Sequence, residues 1–321
     1  MKTLQSNSID LSKAEGSSHD HAKKDVKMKI KERASKRKIY YSMIPGILLL
    51  AALSLFPSIY SLWVSIQRWN LSDPLNRKIV GLSNYQRLLT DAEFWYSLKI
   101  TLIFVVAVVA IESVFAYFLA LLFFRPMPFH RLMRTLILLP MLTAPIVVGM
   151  LMRFMLDPQF GIITHLSEVA GFGSVDFLGT PTTALLSLIL VDVWQWTPFL
   201  FLIFLAAMQG IPEELIEAAK LDGAKRMHLV WHLFLPLMKY PLIVGITLRI
   251  IDSFRVYDLI YATTRGGPIN ATTTMSWSIY DSGFKLFNVS LASAYSWLLL
   301  IVVVVITSRF LKVLARESSE K

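Results

Sequence analysis

The chain has 321 residues, of which 55% belong to the apolar set AVILMFWYC and only 17% are charged. A soluble domain carries about 25% charged residues, so a water-facing surface of ordinary size is excluded, and the lack of Cys excludes a disulfide framework, thiolate metal sites and a cysteine nucleophile. The formal charge of +10 would suit a nucleic-acid binder, but its placement along the chain assigns it to membrane topology, and no nucleic-acid partner is expected.

Residues 1–38 are polar, rich in Lys and without a helical apolar stripe; they are expected to form a disordered basic tail. The run from Lys23 to Lys38 reads either as a topology signal or as a site for anionic lipid. No apolar stretch of signal-peptide length ends in small residues there, so no cleaved leader is expected. Apolar windows of about 20 residues, the length a helix needs to cross the hydrocarbon, then recur at Met43 to Ile66, Ile100 to Phe124, Thr135 to Leu156, Thr183 to Met208, Pro241 to Ala262 and Val289 to Thr307. The expected fold is all-α: a polytopic membrane protein of six transmembrane helices over residues 39–312, with a C-terminal tail at 313–321.

Between the first two windows, Asn84, Tyr85, Phe94, Trp95 and Tyr96 combine with a short apolar stripe. Aromatics of this kind settle at the membrane surface, so an amphipathic elbow is expected there. Pro57, Pro140, Pro145 and Pro198 fall inside the windows, where each removes a backbone hydrogen bond and can kink its helix.

Lys and Arg set the orientation. Of 32 such residues, 22 lie in the N-terminal tail, the connection Arg125 to Arg134, the segment Gln209 to Tyr240 and the C-terminal stretch; seven lie on the opposite side and three within the windows. This bias predicts both termini in the cytoplasm.

The segment 209–236 carries the strongest local grammar. Pro212 suits a first helical position, and Glu213 and Glu214 fall in the first turn, where carboxylates favour the positive end of the helix dipole. Helical spacing continues through Ala218 and Ala219 to Gly223, which permits a sharp turn. Leu229, Leu233 and Phe234 then form an apolar face that is expected to stop at Pro236. Two short helices at an angle, with apolar faces on the cytoplasmic side, invite a partner.

In Glu217-Ala218-Ala219, Gly223 and Leu233-Phe234-Leu235-Pro236 this segment resembles the EAA motif of binding-protein-dependent ABC importer permeases. The Trp194 to Pro198 segment, Ile211-Pro212 and Gly266-Gly267-Pro268 followed by Thr272-Thr273-Thr274 extend the likeness, to the carbohydrate branch and its maltose-type first permease subunit, in a compact form without a large external insertion. The resemblance implies the fold of an ABC importer type I permease and a complex of this chain with a second permease subunit, two ATPase subunits and an extracytoplasmic solute-binding protein. No Walker A pattern occurs in the chain; ATP and Mg would be bound by the partner ATPase, and this chain would hold no cofactor and catalyse nothing itself. Glu217, Ala218, Ala219, Asp222, Gly223, Leu235 and Pro236 would couple it to the ATPase.

The same resemblance places Trp194, Gln195, Trp196 and Phe199 on one span, and Arg249, Asp252, Ser253 and Val256 on another, at positions that contact sugar. The chemistry is suitable: sugars need aromatic platforms for their C–H faces and hydrogen-bonding groups for their hydroxyls. Arg249, Asp252, Arg255 and Asp258 recur every three residues, however, and read equally as an ion-pair ladder bracing the fifth span. Glu112 is either a proton site or a partner for a charge on another helix. Two further functions stay open at this point: an importer for a phosphorylated polyol such as glycerol phosphate, with Arg249 and Arg255 neutralising the phosphate, and an ion-coupled secondary transporter using Glu112 or Asp252. His228 and His232, four residues apart without a third ligand, are assigned to the surface and not to a metal.

Overall fold

A computed structural model describes residues 43–124 and 128–319 of the chain; the basic tail at 1–38 lies outside them. The chain divides into two units, one ending at Ser61 and one running from Leu62 onward. Helix α1, Met43–Ser65, contains all of the described part of the first and passes Pro57 without a break.

The segment after α1 departs from the all-α expectation. Gln67–Asn70 (β1) and Asp73–Ile79 (β2) form an antiparallel hairpin. The turn is closed by Asn70, whose side chain accepts from the Ser72 N–H at 2.8 Å, an Asx turn that substitutes a side-chain oxygen for a backbone one. Arg77 of β2 lies 4.1 Å over the Trp69 ring of β1, a cross-strand contact of the kind that stabilises paired strands. Asn84 ties the hairpin to the next element by donating to the carbonyls of Ser65 and Gln67 at 2.7 and 2.6 Å.

The expected elbow is helix α2, Ser83–Thr90, which buries Leu88. Asp91 then caps helix α3, Ala92–Phe123, accepting from the Glu93 N–H at 2.9 Å. Carboxylates at a helix start satisfy orphan N–H groups and meet the positive dipole end.

Two expected spans are broken. The window Thr135 to Leu156 forms α4, His130–Leu142, and α5, Pro145–Met155, bent by 95°. Pro145 disfavours helical conformation at the residue before it, and Ala144 accordingly has ψ 133°. The window Pro241 to Ala262 forms α11, Lys239–Ser253, and the short α12, Asp258–Ala262. Its interruption at Phe254 to Tyr257 contains neither Pro nor Gly; the carbonyl of Phe254 instead receives the Ser276 hydroxyl at 2.8 Å and that of Val256 the Thr274 hydroxyl at 3.4 Å. The four charges at three-residue spacing therefore do not share one helix: Arg255 and Asp258 lie beyond the end of α11.

Helix α6, Ile162–Val169, precedes α7, Pro181–Gln209, which absorbs Pro198. Helix α8, Glu213–Leu221, opens the hairpin segment, with Pro212 as its cap rather than its first residue. After the turn come α9, Arg226–His228, a wide π-helical stretch, Leu229–Phe234, and α10, Leu235–Leu237. Pro236 does not stop the helix. A proline ring clashes with the carbonyl four residues earlier in a regular α-helix, and the wider preceding turn makes room for it; the chain bends instead around Met238, by 69°, into α11. Helix α13, Met275–Tyr280, leads through a second π-helical stretch, Asp281–Lys285, to α14, Val289–Ser319, whose backbone continues helically through most of the expected tail.

Helices α3 and α7 form the central pair. One apolar cluster includes Phe104, Val108, Leu188, Phe254, Met275 and Tyr295; another, toward the hairpin segment, includes Ala116, Ala120, Phe204, Met208 and Phe234. Small residues such as Ala116 and Ala120 let helices approach closely where lipid tails supply no hydrophobic drive. Gly149 does the same for α5 and α12, since a Cβ there would lie 2.6 Å from the Cβ of Ala262.

Candidate functional site

The central feature is a buried cation held by three helices. Arg249 of α11 is 1% exposed, Glu112 of α3 0% and Asp192 of α7 4%. The guanidinium donates from Nε to Glu112 Oε2 at 2.7 Å and from Nη2 to Glu112 Oε1 at 2.9 Å. Nη2 also donates to Asp192 Oδ2, and Nη1 reaches Asp252 Oδ2 at 3.1 Å. Asp252 extends the network outward, its Oδ1 accepting from Arg255 Nη2 at 2.9 Å. Removing such a cation from water costs several kcal/mol, which only full partnering offsets. Glu112 thus pairs across helices, one of the two roles open to it from sequence, and part of the predicted ladder is real: Arg249, Asp252 and Arg255 are paired.

Beside this cluster lies a cavity of about 290 Å³. It is opened by the α11–α12 interruption, which turns Arg255, Val256, Tyr257 and Asp258 into wall, while Pro145 at the α4–α5 break closes another side. Of the eight candidates for sugar contact, Gln195, Trp196, Arg249, Asp252, Ser253 and Val256 line it. Trp196 places its ring 5.5 Å beneath the Arg249 guanidinium. Gln195 donates to the carbonyl of Thr143 at 3.1 Å, satisfying backbone freed by the α4–α5 bend, and Ser253 donates to the carbonyl of Arg249 at 2.7 Å.

Trp194 and Phe199 are not in the cavity wall. Trp194 is two residues from Trp196, roughly 200° around a helix, and is 49% exposed; Phe199 packs against the apolar cluster at the hairpin end. The cavity wall also contains Asp192, two residues before Trp194 and outside the set of sugar contacts that the resemblance implies. An acidic residue in an apolar span asks for a buried cation, and that signal singles out both Asp192 and Glu112.

At the other end, α8 is anchored by Ile216, which joins Leu229, Phe234, Phe204 and Met208 in one cluster. This leaves Glu217, Ala218 and Asp222 exposed, with Ala219 and Leu235 half-buried and Pro236 exposed. Gly223 has φ +80°, and its N–H donates to Lys220 O at 3.0 Å while Ala224 N–H donates to Ala219 O at 2.9 Å. These bonds close the helix end in the manner that favours glycine. Leu221 and Met227, 89% and 66% exposed, flank the turn. His228 and His232 stack with ring centroids 4.0 Å apart, and among the described residues no third metal ligand accompanies them.

Residues 112–317 match the family described as binding-protein-dependent transport system inner membrane component. The chain belongs to this permease family. The trehalose/maltose transport system permease protein MalF of Thermococcus litoralis is 33% identical over 274 residues, 85% of this chain and 92% of that one. The sn-glycerol-3-phosphate transport system permease protein UgpA of Yersinia pestis is 35% identical over 274 residues, 84% and 90% of the two chains. A permease chain of a bacterial alginate ABC transporter, solved in complex with an alginate pentasaccharide-bound periplasmic protein, shares the fold with a TM-score of 0.74 at 20% identity, covering 85% of this chain and 92% of that one.

The permease is therefore an inner-membrane transport subunit of the ABC importer type and not an enzyme, with its likeness to the first permease of the carbohydrate branch carried by nearly full-length relatives. Its membership sets aside the ion-coupled carrier. Among the described residues, four helices are long and apolar enough to cross a membrane, and up to six spans result if each bent pair counts as one.

Proposed function

We propose that this permease forms half of the translocation pathway of an ATP-driven, binding-protein-dependent sugar importer, spanning the membrane six times with both termini in the cytoplasm. The reading is carried by the cavity beside Arg249, where an aromatic ring, a carboxylate and hydroxyl and amide groups converge inside the helical bundle. That combination suits a ligand with apolar C–H faces and many hydroxyls. A second permease subunit supplies the other half of the path, and a solute-binding protein delivers sugar from outside.

Energy comes from a pair of cytoplasmic ATPase subunits that bind ATP and Mg. The 209–236 hairpin docks on them through Glu217, Ala218, Ala219, Asp222 and the turn at Gly223, with Leu235 and Pro236 carrying the motion into α11. Its exposed apolar side chains and rigid anchoring through Ile216 support this role. Uptake by sealed vesicles that requires ATP hydrolysis and ignores an uncoupler is the expected result; uptake that collapses with the proton gradient and persists without ATP overturns the proposal. The 35% identity to UgpA supports a second reading, a phosphorylated polyol, and the charges of the cavity bear on the choice.

A further inference from the structure

A guanidinium has five N–H donors, and four hydrogen bonds from Arg249 go to carboxylates of this chain: two to Glu112, one to Asp192 and one to Asp252. One N–H remains, so Arg249 is not a free cation waiting for an anionic ligand. Asp252 is held at both oxygens, by Arg249 and by Arg255. Counting the wall, Asp192, Asp252 and Asp258 stand against Arg249 and Arg255. Arg255 is the open cation, 73% exposed at its side chain, but it is already bonded to Asp252 and shares the wall with Asp258.

A phosphate entering this space meets more carboxylates than guanidiniums, and like charges within a few ångströms repel strongly away from bulk water. A hydroxyl behaves differently. It donates to the spare lone pairs of a carboxylate already bonded to arginine, because each carboxylate offers about four acceptor sites, and no existing pair has to open. The Trp196 ring supplies the surface for the ligand's C–H face.

We infer that the cavity accepts an uncharged polyhydroxyl ligand, a saccharide or free polyol, and turns away anions such as phosphorylated polyols. The inference rests on reading this cavity as the substrate site.

The test uses the assembled transporter. Because the chain has no cysteine of its own, Val256→Cys in the wall gives a single reporter on this subunit, and its labelling by a small neutral maleimide is followed while solutes are added. The panel is a set of uncharged mono- and disaccharides, with glycerol 3-phosphate and glucuronate as anions. At least one uncharged member is expected to protect the cysteine at a concentration tenfold or more below either anion. Adding Asp252→Asn is expected to improve protection by glycerol 3-phosphate at least tenfold, since it removes a negative charge and leaves one amide oxygen where two carboxylate oxygens accepted from Arg249 and Arg255; Asp258→Asn, at an exposed position, should give the same direction if the first variant assembles poorly. Protection by glycerol 3-phosphate equal to or better than that by every saccharide, lost in Arg255→Gln, overturns the inference while leaving the cavity as the substrate site. If no member of the panel protects the reporter although the complex transports, the cavity is not the substrate site and both readings fall.

Discussion

Glu112 and Arg249 stand 137 residues apart in sequence, yet their side chains meet in a two-point ion pair of 2.7 and 2.9 Å joining α3 to α11. Both are buried, and Asp192 of α7 binds the same guanidinium. The pair is thus a bolt through three helices. Breaking a buried pair from one side costs about 3–5 kcal/mol, because an uncompensated charge is left behind.

We therefore expect Arg249→Leu to lower the amount of assembled complex severely, leaving two buried carboxylates facing each other. Adding Glu112→Gln and Asp192→Asn to Arg249→Leu should restore much of it, since neutral amides remove the repulsion. Quantifying membrane-inserted complex and its heat resistance in detergent checks this. A triple variant as poor as the single one would show that the side-chain shapes, and not their charges, hold the helices.

These residues also mark how far the sequence was legible. Each charge in an apolar span announced a buried partner, and the three-residue spacing paired Asp252 with both Arg249 and Arg255, but Glu112 and Asp192 are placed by the packing of α3 on α7. The hairpin segment was readable because caps, dipole charges and Gly223 act locally. The α11–α12 interruption was not, since the groups that satisfy its freed carbonyls, Ser276 and Thr274, come from beyond α12. The same holds for the β1–β2 hairpin, whose Trp69–Arg77 contact is a cross-strand relation with no signature in span-length windows. The sharp bend between α4 and α5 could have been placed at Pro145, where the sequence shows a proline and leaves its consequence open.

At Gly223 the space around a Cβ is empty, so a substitution acts through backbone conformation alone. With φ at +80°, a residue with a branched Cβ is costly by at least 1–2 kcal/mol, whereas Asn tolerates this region. Gly223→Val is expected to leave insertion intact and to abolish both ATPase capture and uptake; Gly223→Asn should retain most of each. Equal uptake by Gly223→Val and the unaltered complex would remove the turn from the coupling path.

Topology is open to direct chemistry. Ser174 and Ile269 are exposed on segments expected outside, and Lys225 is exposed on the hairpin expected inside. Thr272, which lies in the same outer loop as Ile269, is fully buried and would report poorly. Cysteine substituted at Ser174 or Ile269 should react with an impermeant maleimide added to intact cells, and at Lys225 only after permeabilisation. The opposite pattern would invert the orientation and put the hairpin out of reach of any cytoplasmic ATPase.

Asp252 separates the binding role from the bracing role. It is partly exposed to the cavity and joins Arg249 to Arg255, so from sequence it served either reading. The structure makes the outcomes distinct, because Arg249 keeps Glu112 and Asp192 when Asp252 is neutralised. Asp252→Asn therefore leaves no buried cation without a carboxylate, and its amide oxygen still accepts from the nearby guanidinium. Assembly and basal ATPase activity of the complex should stay near normal. A hydroxyl bound to the carboxylate loses a charged hydrogen bond worth about 1.5–3 kcal/mol in exchange for a neutral one of about 1 kcal/mol, so sugar uptake at low concentration should fall roughly two- to thirtyfold. Poor assembly of Asp252→Asn, rescued by Arg255→Gln, would instead make Asp252 a brace for the α11–α12 interruption, and the sugar contacts would have to be sought on α7 around Gln195 and Trp196.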